Sequence, residues 1–239
     1  MTTTSLEESL VDFQCPHCKA ALSFPECRVG SVQECPFCFK IVVVPGRGEA
    51  ASGRLPLPVT TPRLRLRLLT TEDQADWLEV VSDEESYTYL DGDSPDEDTA
   101  RAWFERNQKT RLTDPEGHIA LGIEAQEPLK IIGSLSFYLF SPEDNPDLHR
   151  QGGFQIMLHR GYRRRGYATE AVRGLFEFAF RGIGLHDVRV SIDRRNGSAR
   201  RMAEKAGMIL EGEFVEDRYI KESWVSTAWY RILKTEYEH

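Results

Sequence analysis

The chain has 239 residues, room for one or two domains, and its 40% hydrophobic and 10% aromatic content is ordinary for a globular protein. A net charge of −8 argues against non-specific binding to nucleic acid or an anionic membrane, and no apolar run approaches the length of a membrane span. The stretch from Met1 to Glu8 lacks the basic and apolar parts of a signal peptide, so a cytoplasmic location is expected.

All five cysteines lie before residue 39. Cys15-Pro16-His17-Cys18 and Cys35-Pro36-Phe37-Cys38 are two Cys-x-x-Cys pairs separated by sixteen residues. Each pair can close a tight turn, and two such turns complete a tetrahedron of sulfur around zinc. Two disulfides are the rival reading, disfavoured by a reducing compartment; a redox motif is the other, but it has one pair beside a βαβ unit. The expected ligands are therefore Cys15, Cys18, Cys35 and Cys38, with His17 inside a knuckle and Cys27 a spare thiol. Thirty residues cannot bury a self-sufficient core, so zinc would supply most of the folding free energy. The segment resembles a zinc ribbon over residues 1–45, a candidate docking module for a protein partner. Residues 46–59, with Gly46, Gly48, Gly53, Pro56 and Pro58, form the expected linker.

A second domain is expected over 60–239. Arg63, Arg65 and Arg67 alternate with Leu64, Leu66 and Leu68, a period-two strand whose arginines form a solvent face. Thr70 or Thr71 caps a helix over about 72–82. Asp93 or Ser94 starts another, running to about Arg111, with Ala100, Trp103 and Phe104 buried. Ile119–Ala125 and Lys130–Phe140 make a strand pair around Gln126-Glu127-Pro128. A loop rich in Pro, Asp and Asn follows over 141–149.

Phe154 to Leu158 is the next strand. A turn holding Arg163, Arg164, Arg165 and Gly166 comes after it. Then Ala168, Ala171, Val172, Leu175, Phe176 and Ala179 recur at i, i+3, i+4, i+7, i+8 and i+11, one face of a helix. The turn thus sits at a helix N-terminus, where free N–H groups and the helix dipole favour a phosphate, and arginines add charge. Gly166 lets phosphate oxygens approach the backbone, and Ala168 is small for the same reason. The bland alternative is a solvated basic turn. Val188–Ile192 alternates as a strand, Asn196 or Ser198 caps a helix ending at Gly207, and Met208–Val215 with Ser223–Leu233 closes a hairpin. These elements predict an α/β domain with a mixed central sheet flanked by helices.

Arg163-x-x-Gly166-x-Ala168, after an apolar strand and opening a helix, resembles the acetyl-CoA signature of the GNAT superfamily of N-acetyltransferases. Arg165-Gly166-Tyr167-Ala168-Thr169-Glu170-Ala171 looks like the branch that acetylates ribosomal-protein N-termini. Thr61–Arg67, Asn196–Met208, Leu210-Glu211-Gly212 and Trp229–Leu233 extend the resemblance to about residues 60–235, more weakly over 84–115. It implies that pantetheine bonds the backbone of Ile156, Met157 and Leu158. It also implies that the pyrophosphate takes the N–H groups of Arg163, Arg164, Arg165, Gly166, Tyr167 and Ala168, with Asn196 and Arg201 approaching the rest of acetyl-CoA.

The proton-handling groups depart from the family pattern. Gly153 stands where many relatives carry a glutamate. Ala199 stands at the branch's serine, with Ser198 one place earlier, turned about 100° away and read as a cap. Arg218 stands at a glutamate position, beside Glu216 and Asp217. The candidate catalytic groups are Tyr230, Glu216 and Ser198, with Tyr219 a further acid. The expected acceptor is a primary amine, foremost a protein or peptide α-amine. The acidic run Asp83, Glu84, Glu85, Asp91, Asp93, Asp96, Glu97 and Asp98 points to a cationic acceptor; its bland reading is a solvated face. The alternatives are a polyamine acceptor, and a non-catalytic acyl-CoA-binding sensor or adaptor.

Overall fold

The computed structural model describes residues 10–16, 18–25, 32–37, 41–45, 57–109, 118–140 and 151–238. His17, Cys27, Cys38, most of the expected linker, Arg111 and the expected loop at 141–149 lie outside the described residues.

Two small sheets come first. Strand β1 (Leu10–Gln14) pairs antiparallel with β2 (Ala21–Pro25), and β3 (Val32–Glu34) with β4 (Ile41–Val43). Their shared core is slight: Cys15, Leu22, Cys35 and Val42 are buried, with Phe13 and Phe24 packed against them.

The remaining strands form one eight-stranded sheet. In chain order they are β5 (Val59–Thr60), β6 (Leu64–Leu68), β7 (His118–Gln126), β8 (Leu129–Phe140), β9 (Gln151–Leu158), β10 (Asp187–Asp193), β11 (Ile209–Ile220) and β12 (Ser223–Leu233). The spatial order is β11-β12-β10-β9-β8-β7-β6-β5. Only β9 and β10 are parallel, because the helical segment between them carries the chain back across the sheet.

Helices cover both faces. On one lie α1 (Gln74–Val81) and α2 (Glu97–Lys109), which bury Trp77, Val81, Ala100 and Phe104 with Leu69; Met157 of β9 packs there too. On the other lie α3 (Tyr167–Phe176), continued by a wider-wound turn at Glu177–Gly182, and α4 (Gly197–Ala206). Ala171, Val172, Leu175, Phe176 and Ala179 are all buried against Leu66, Leu135, Phe154, Val188 and Ile192, the face their spacing predicts. A short α5 (Lys234–Tyr237) ends the described chain. Among the described residues, no helix is long and apolar enough to cross a membrane.

Three local expectations change. Asp96, not Asp93 or Ser94, opens α2, accepting the Thr99 N–H at 2.8 Å, because the chain from Asp83 first makes a separate turn at Glu84–Tyr87. Asn196 caps α4 by accepting the Ala199 N–H at 3.0 Å, and Ser198 instead donates to that same Asn196 oxygen. The arginines in and just before β6 are not a plain solvent face. Arg67 pairs with buried Asp73 and Glu124, Arg65 with Glu124, and Arg63 with Glu170 of α3. Asp73 comes from the turn after β6 and Glu124 and Glu170 from elements distant in sequence, so β6's own alternation does not reveal them.

Candidate active site

The site begins where β9 and β10 part. They pair only at Gln151–Gly153 and Asp187–Arg189; further along, β9 pairs with β8 alone and β10 with β12 alone. The His159 N–H donates to the Ile132 carbonyl beside β8. Backbone groups alternate sides along a strand, so Leu158 and Ile156 point their N–H and C=O into the gap while Met157 points toward β8.

The loop after β9 turns once at Arg160–Tyr162, and the Arg163 N–H donates to the Arg160 carbonyl at 3.4 Å. Arg164 and Gly166 then take positive φ, 61° and 82°, before α3 starts at Tyr167. Gly166 is the residue type such a backbone favours. The first intrahelical bond runs from the Glu170 N–H to the Gly166 carbonyl. Tyr167, Ala168 and Thr169 therefore carry the outward N–H groups of a helix start.

Two arginines hold this loop from opposite sides. Arg63 donates to Glu170 through its N–H at 2.8 Å and its Nε at 2.6 Å, donates to the Arg165 carbonyl at 3.1 Å, and stacks 4.3 Å over the Tyr167 ring. Burial would raise the Glu170 carboxyl, but donors from Thr61 and Arg63 hold it below its ordinary value. Arg163 is engaged on all three nitrogens. Its Nε donates to the Leu158 carbonyl at 3.0 Å, and its terminal nitrogens reach Asp83, Glu85 and Ser86. Arg164 and Arg165 stand exposed.

A parted parallel pair, a glycine-bearing basic turn and a helix start beside the gap form a site for a phosphate-bearing, extended ligand. Residues 63–209 match the acetyltransferase (GNAT) domain family. The chain belongs to this family.

As a GNAT acetyltransferase it uses acetyl-CoA to acetylate an amine. It is 25% identical over 179 residues to an uncharacterized N-acetyltransferase, YnaD, of Bacillus subtilis, covering 75% of this chain and 98% of that protein. Its fold is similar to that of spermidine N-acetyltransferase from Vibrio cholerae, solved with CoA and spermine (TM-score 0.62, 18% identity, 75% of this chain and 100% of that one). It is equally similar to that of ribosomal-protein-S5-alanine acetyltransferase from Vibrio fischeri (TM-score 0.62, 16% identity, 76% of this chain and 98% of that one).

Helix α4 of the acetyltransferase carries Asn196 at its cap. Arg201 is exposed and folds back, so that a Cβ on Gly197 would meet its Nη1 at 3.3 Å. The expected proton carriers are dispersed. Tyr230 is fully buried between β12 and α4, donating to Glu204 at 3.0 Å and accepting from Arg200 Nε at 3.1 Å. Burial raises its hydroxyl above the ordinary tyrosine value, Arg200 only partly opposing. Glu216 is exposed in a bulge of β11 with φ 50°, and Ser198 is exposed on α4. Tyr219 is also exposed, packed edge-on against Trp224. The bulge turns Asp217 back onto β12, where it accepts from the Thr227 N–H at 3.0 Å and the Thr227 hydroxyl at 2.6 Å. At Gly153, a Cβ would lie 3.2 Å from the Phe140 ring.

The face of the gap that turns toward α1 and α2 is lined by alternation. Ser134 accepts from the Trp77 indole, so Ser136 and Tyr138 share that face; Met157 packs there, so Gln155 does too. Val188 and Ile192 face α3 and α4, which leaves Ser191 on the α1 side with Trp229 across from it. The carboxylates on this face already accept from protein donors: Asp187 from Gln151 and Arg189, Asp193 from Arg195, Asp217 from Thr227.

In the N-terminal segment, the Sγ atoms of Cys15, Cys18 and Cys35 lie within 4.8 Å of one another, those of Cys18 and Cys35 at 3.7 Å. The first knuckle closes by the Lys19 N–H to the Cys15 carbonyl at 2.9 Å, with Lys19 at φ 65°. Four sulfurs at about 2.3 Å from a tetrahedral zinc lie about 3.8 Å apart, so the three described thiols fit three corners.

Proposed function

We propose that this enzyme transfers acetyl from acetyl-CoA to the α-amine of a protein or peptide. In this reading the pyrophosphate sits on the N–H groups of residues 164–168, with Arg164 and Arg165 supplying charge. Pantetheine runs along the gap and bonds Ile156 and Leu158 as an added strand would. An N–H of β9 in the gap faces the developing oxyanion. The amine enters from the α1 side, past Tyr138, Gln155 and Ser191. Its nitrogen attacks the thioester carbon, the C–S bond breaks as the tetrahedral adduct collapses, and water passes the amine's proton to solvent while the thiolate gains one.

The carrying observation is charge. The acidic run lies partly in internal pairs, while Glu84, Asp91 and Asp98 stand exposed outside them. Asp83 and Glu85 pair with Arg163, Asp93 with Lys221 and Glu97 with Arg101, while Asp96 caps α2. The carboxylates on the α1 face of the gap, Asp187, Asp193 and Asp217, each accept from a protein donor. An α-amine near pKa 7.7–8.0 is partly neutral at pH 7 without a base, whereas lysine near 10.4 is not. The fold is shared by enzymes named for spermidine and for a ribosomal protein, so the choice rests on this charge pattern.

The zinc reading extends the proposal. Cys15, Cys18 and Cys35, with Cys38 as the fourth, hold one Zn2+ and fold a ribbon in front of the acetyltransferase domain, where it presents a surface to a protein partner.

An acetyl-transfer assay tests the acceptor. It offers peptides with free N-termini, the same peptides blocked and carrying one lysine, and spermidine. Transfer to free N-termini is expected, with kcat/KM rising to a plateau above about pH 8 as the α-amine loses its proton. Transfer to spermidine or lysine but not to free N-termini overturns the reading. Tight acetyl-CoA binding with no turnover on any amine would favour a sensor.

A further inference from the structure

The segment between α1 and α2 is joined to the acetyl-CoA loop by a single side chain, that of Arg163. Asp83 is 12% exposed and Arg163 27%, so this pair is only partly screened by solvent. Ser86 accepts from the same terminal nitrogen at 2.7 Å, Glu85 from the other at 2.8 Å, and the Leu158 carbonyl from Nε. The guanidinium is therefore spent inside the protein.

The Leu158 carbonyl is the last strand group pointing into the gap. The residue after Arg163 is the first of the loop's two positive-φ residues. Arg163 thus locks the end of the parted strand to the start of the phosphate cradle, and Asp83 is by far the less exposed of its two carboxylate acceptors. Without that carboxylate, the guanidinium joins Arg160, Arg164 and Arg165 in a loop of like charges that has lost its tie.

We propose that Asp83 is a positioning residue for acetyl-CoA. It touches no substrate, and it fixes Arg163 so that the backbone N–H groups of 164–168 converge on the pyrophosphate. The same segment is pinned at its far end, where Lys221 of the β11–β12 turn donates to the Tyr87 carbonyl at 3.0 Å and pairs with Asp93 at 3.1 Å. The positioning role rests on the assignment of 164–168 as the pyrophosphate site. Glu84, next in sequence, is exposed, with the same charge and no part in this contact.

The test compares Asp83→Asn, Asp83→Glu and Glu84→Gln in the full chain, by calorimetry with acetyl-CoA and by steady-state kinetics. Asp83→Asn is expected to raise both Kd and KM for acetyl-CoA about tenfold, or ~1.4 kcal/mol, with kcat within about twofold. Asp83→Glu restores most of the affinity, and Glu84→Gln behaves as wild type. Equal affinities for Asp83→Asn and Glu84→Gln overturn the proposal, as does a loss of kcat at unchanged KM. Should Asp83→Asn not fold, Ser86→Ala, which removes one acceptor from the same nitrogen, is expected to weaken binding about threefold; unchanged affinity there also overturns it. Gly166→Glu is measured alongside. If it leaves acetyl-CoA binding intact, the pyrophosphate assignment itself fails; if it weakens binding while the Asp83 variants do not, only the positioning role fails.

Discussion

The Arg63 guanidinium lies 4.3 Å over the Tyr167 ring while its Nε holds Glu170 at 2.6 Å. One side chain, just before β6, thereby grips both the first residue and the first turn of α3. A planar cation can stack and bond in its plane at once; an ammonium cannot.

Arg63→Lys should therefore behave nearly as Arg63→Ala. Both are expected to weaken acetyl-CoA binding by about three- to tenfold through a loosened helix start, or roughly 0.6–1.4 kcal/mol. Titration calorimetry checks this, and full affinity in Arg63→Lys would show that charge alone suffices.

The purified chain should carry one zinc. Cys35→Ser should release it and melt the N-terminal sheets, because Cys35 is fully buried in a core of very few side chains. The transition of the eight-stranded domain is expected to stay put, since its strands pair only with each other. Metal analysis under reducing, metal-free conditions and two-transition calorimetry read both outcomes; a metal-free wild-type chain would remove the site.

Acid should unfold the main domain through Asp73. Burial raises its carboxyl, yet Arg67 and Thr70 together bring it below the ordinary 3.8. A folded value below the unfolded one stabilises at higher pH, and that contribution is lost as pH falls through the folded value. Stability should thus be flat from about pH 7 to 5 and fall below about 4. Asp73→Asn should flatten the fall, at a cost of roughly 1–3 kcal/mol at pH 7 for leaving Arg67 with one of its two carboxylate partners. Urea melts across pH check it; an unchanged acid limb in the variant would place the titration elsewhere.

The strands, helices and the Gly166 turn were legible because each is written in local periods. The Ala168–Ala179 face, the β7–β8 pair and the Gly166 turn are all set by neighbours within a few residues. What pairs across the chain was not legible. Arg163 meets Asp83 from 80 residues away, and the run containing Asp83 reads as a field for a cation until its partners are seen. Arg63, Arg65 and Arg67, in and just before β6, misled in the same way. The β11 bulge moved attention as well: Glu216 is carried out to solvent, while Asp217 turns onto Thr227.

Tyr230 gives the last prediction. A tyrosine on a strand beside the acetyl-CoA gap is a reasonable acid for the leaving thiolate, and the resemblance suggests it. Its surroundings favour another role. The ring is fully buried on the α3–α4 face, its proton is given to Glu204, and its oxygen accepts from Arg200, which also pairs with Glu213. A hydroxyl so engaged fastens α4 to β12, and its proton is already given to Glu204. Tyr230→Phe should then lower stability by about 1 kcal/mol, the net worth of its hydrogen bonds to half-buried Arg200 and exposed Glu204. It should leave kcat within about twofold. A general acid removed from the site would instead cost about 10²–10⁴-fold in kcat. Thermal melts and steady-state rates on one preparation separate the two, and a hundredfold loss of kcat at unchanged melting temperature would return Tyr230 to the chemistry.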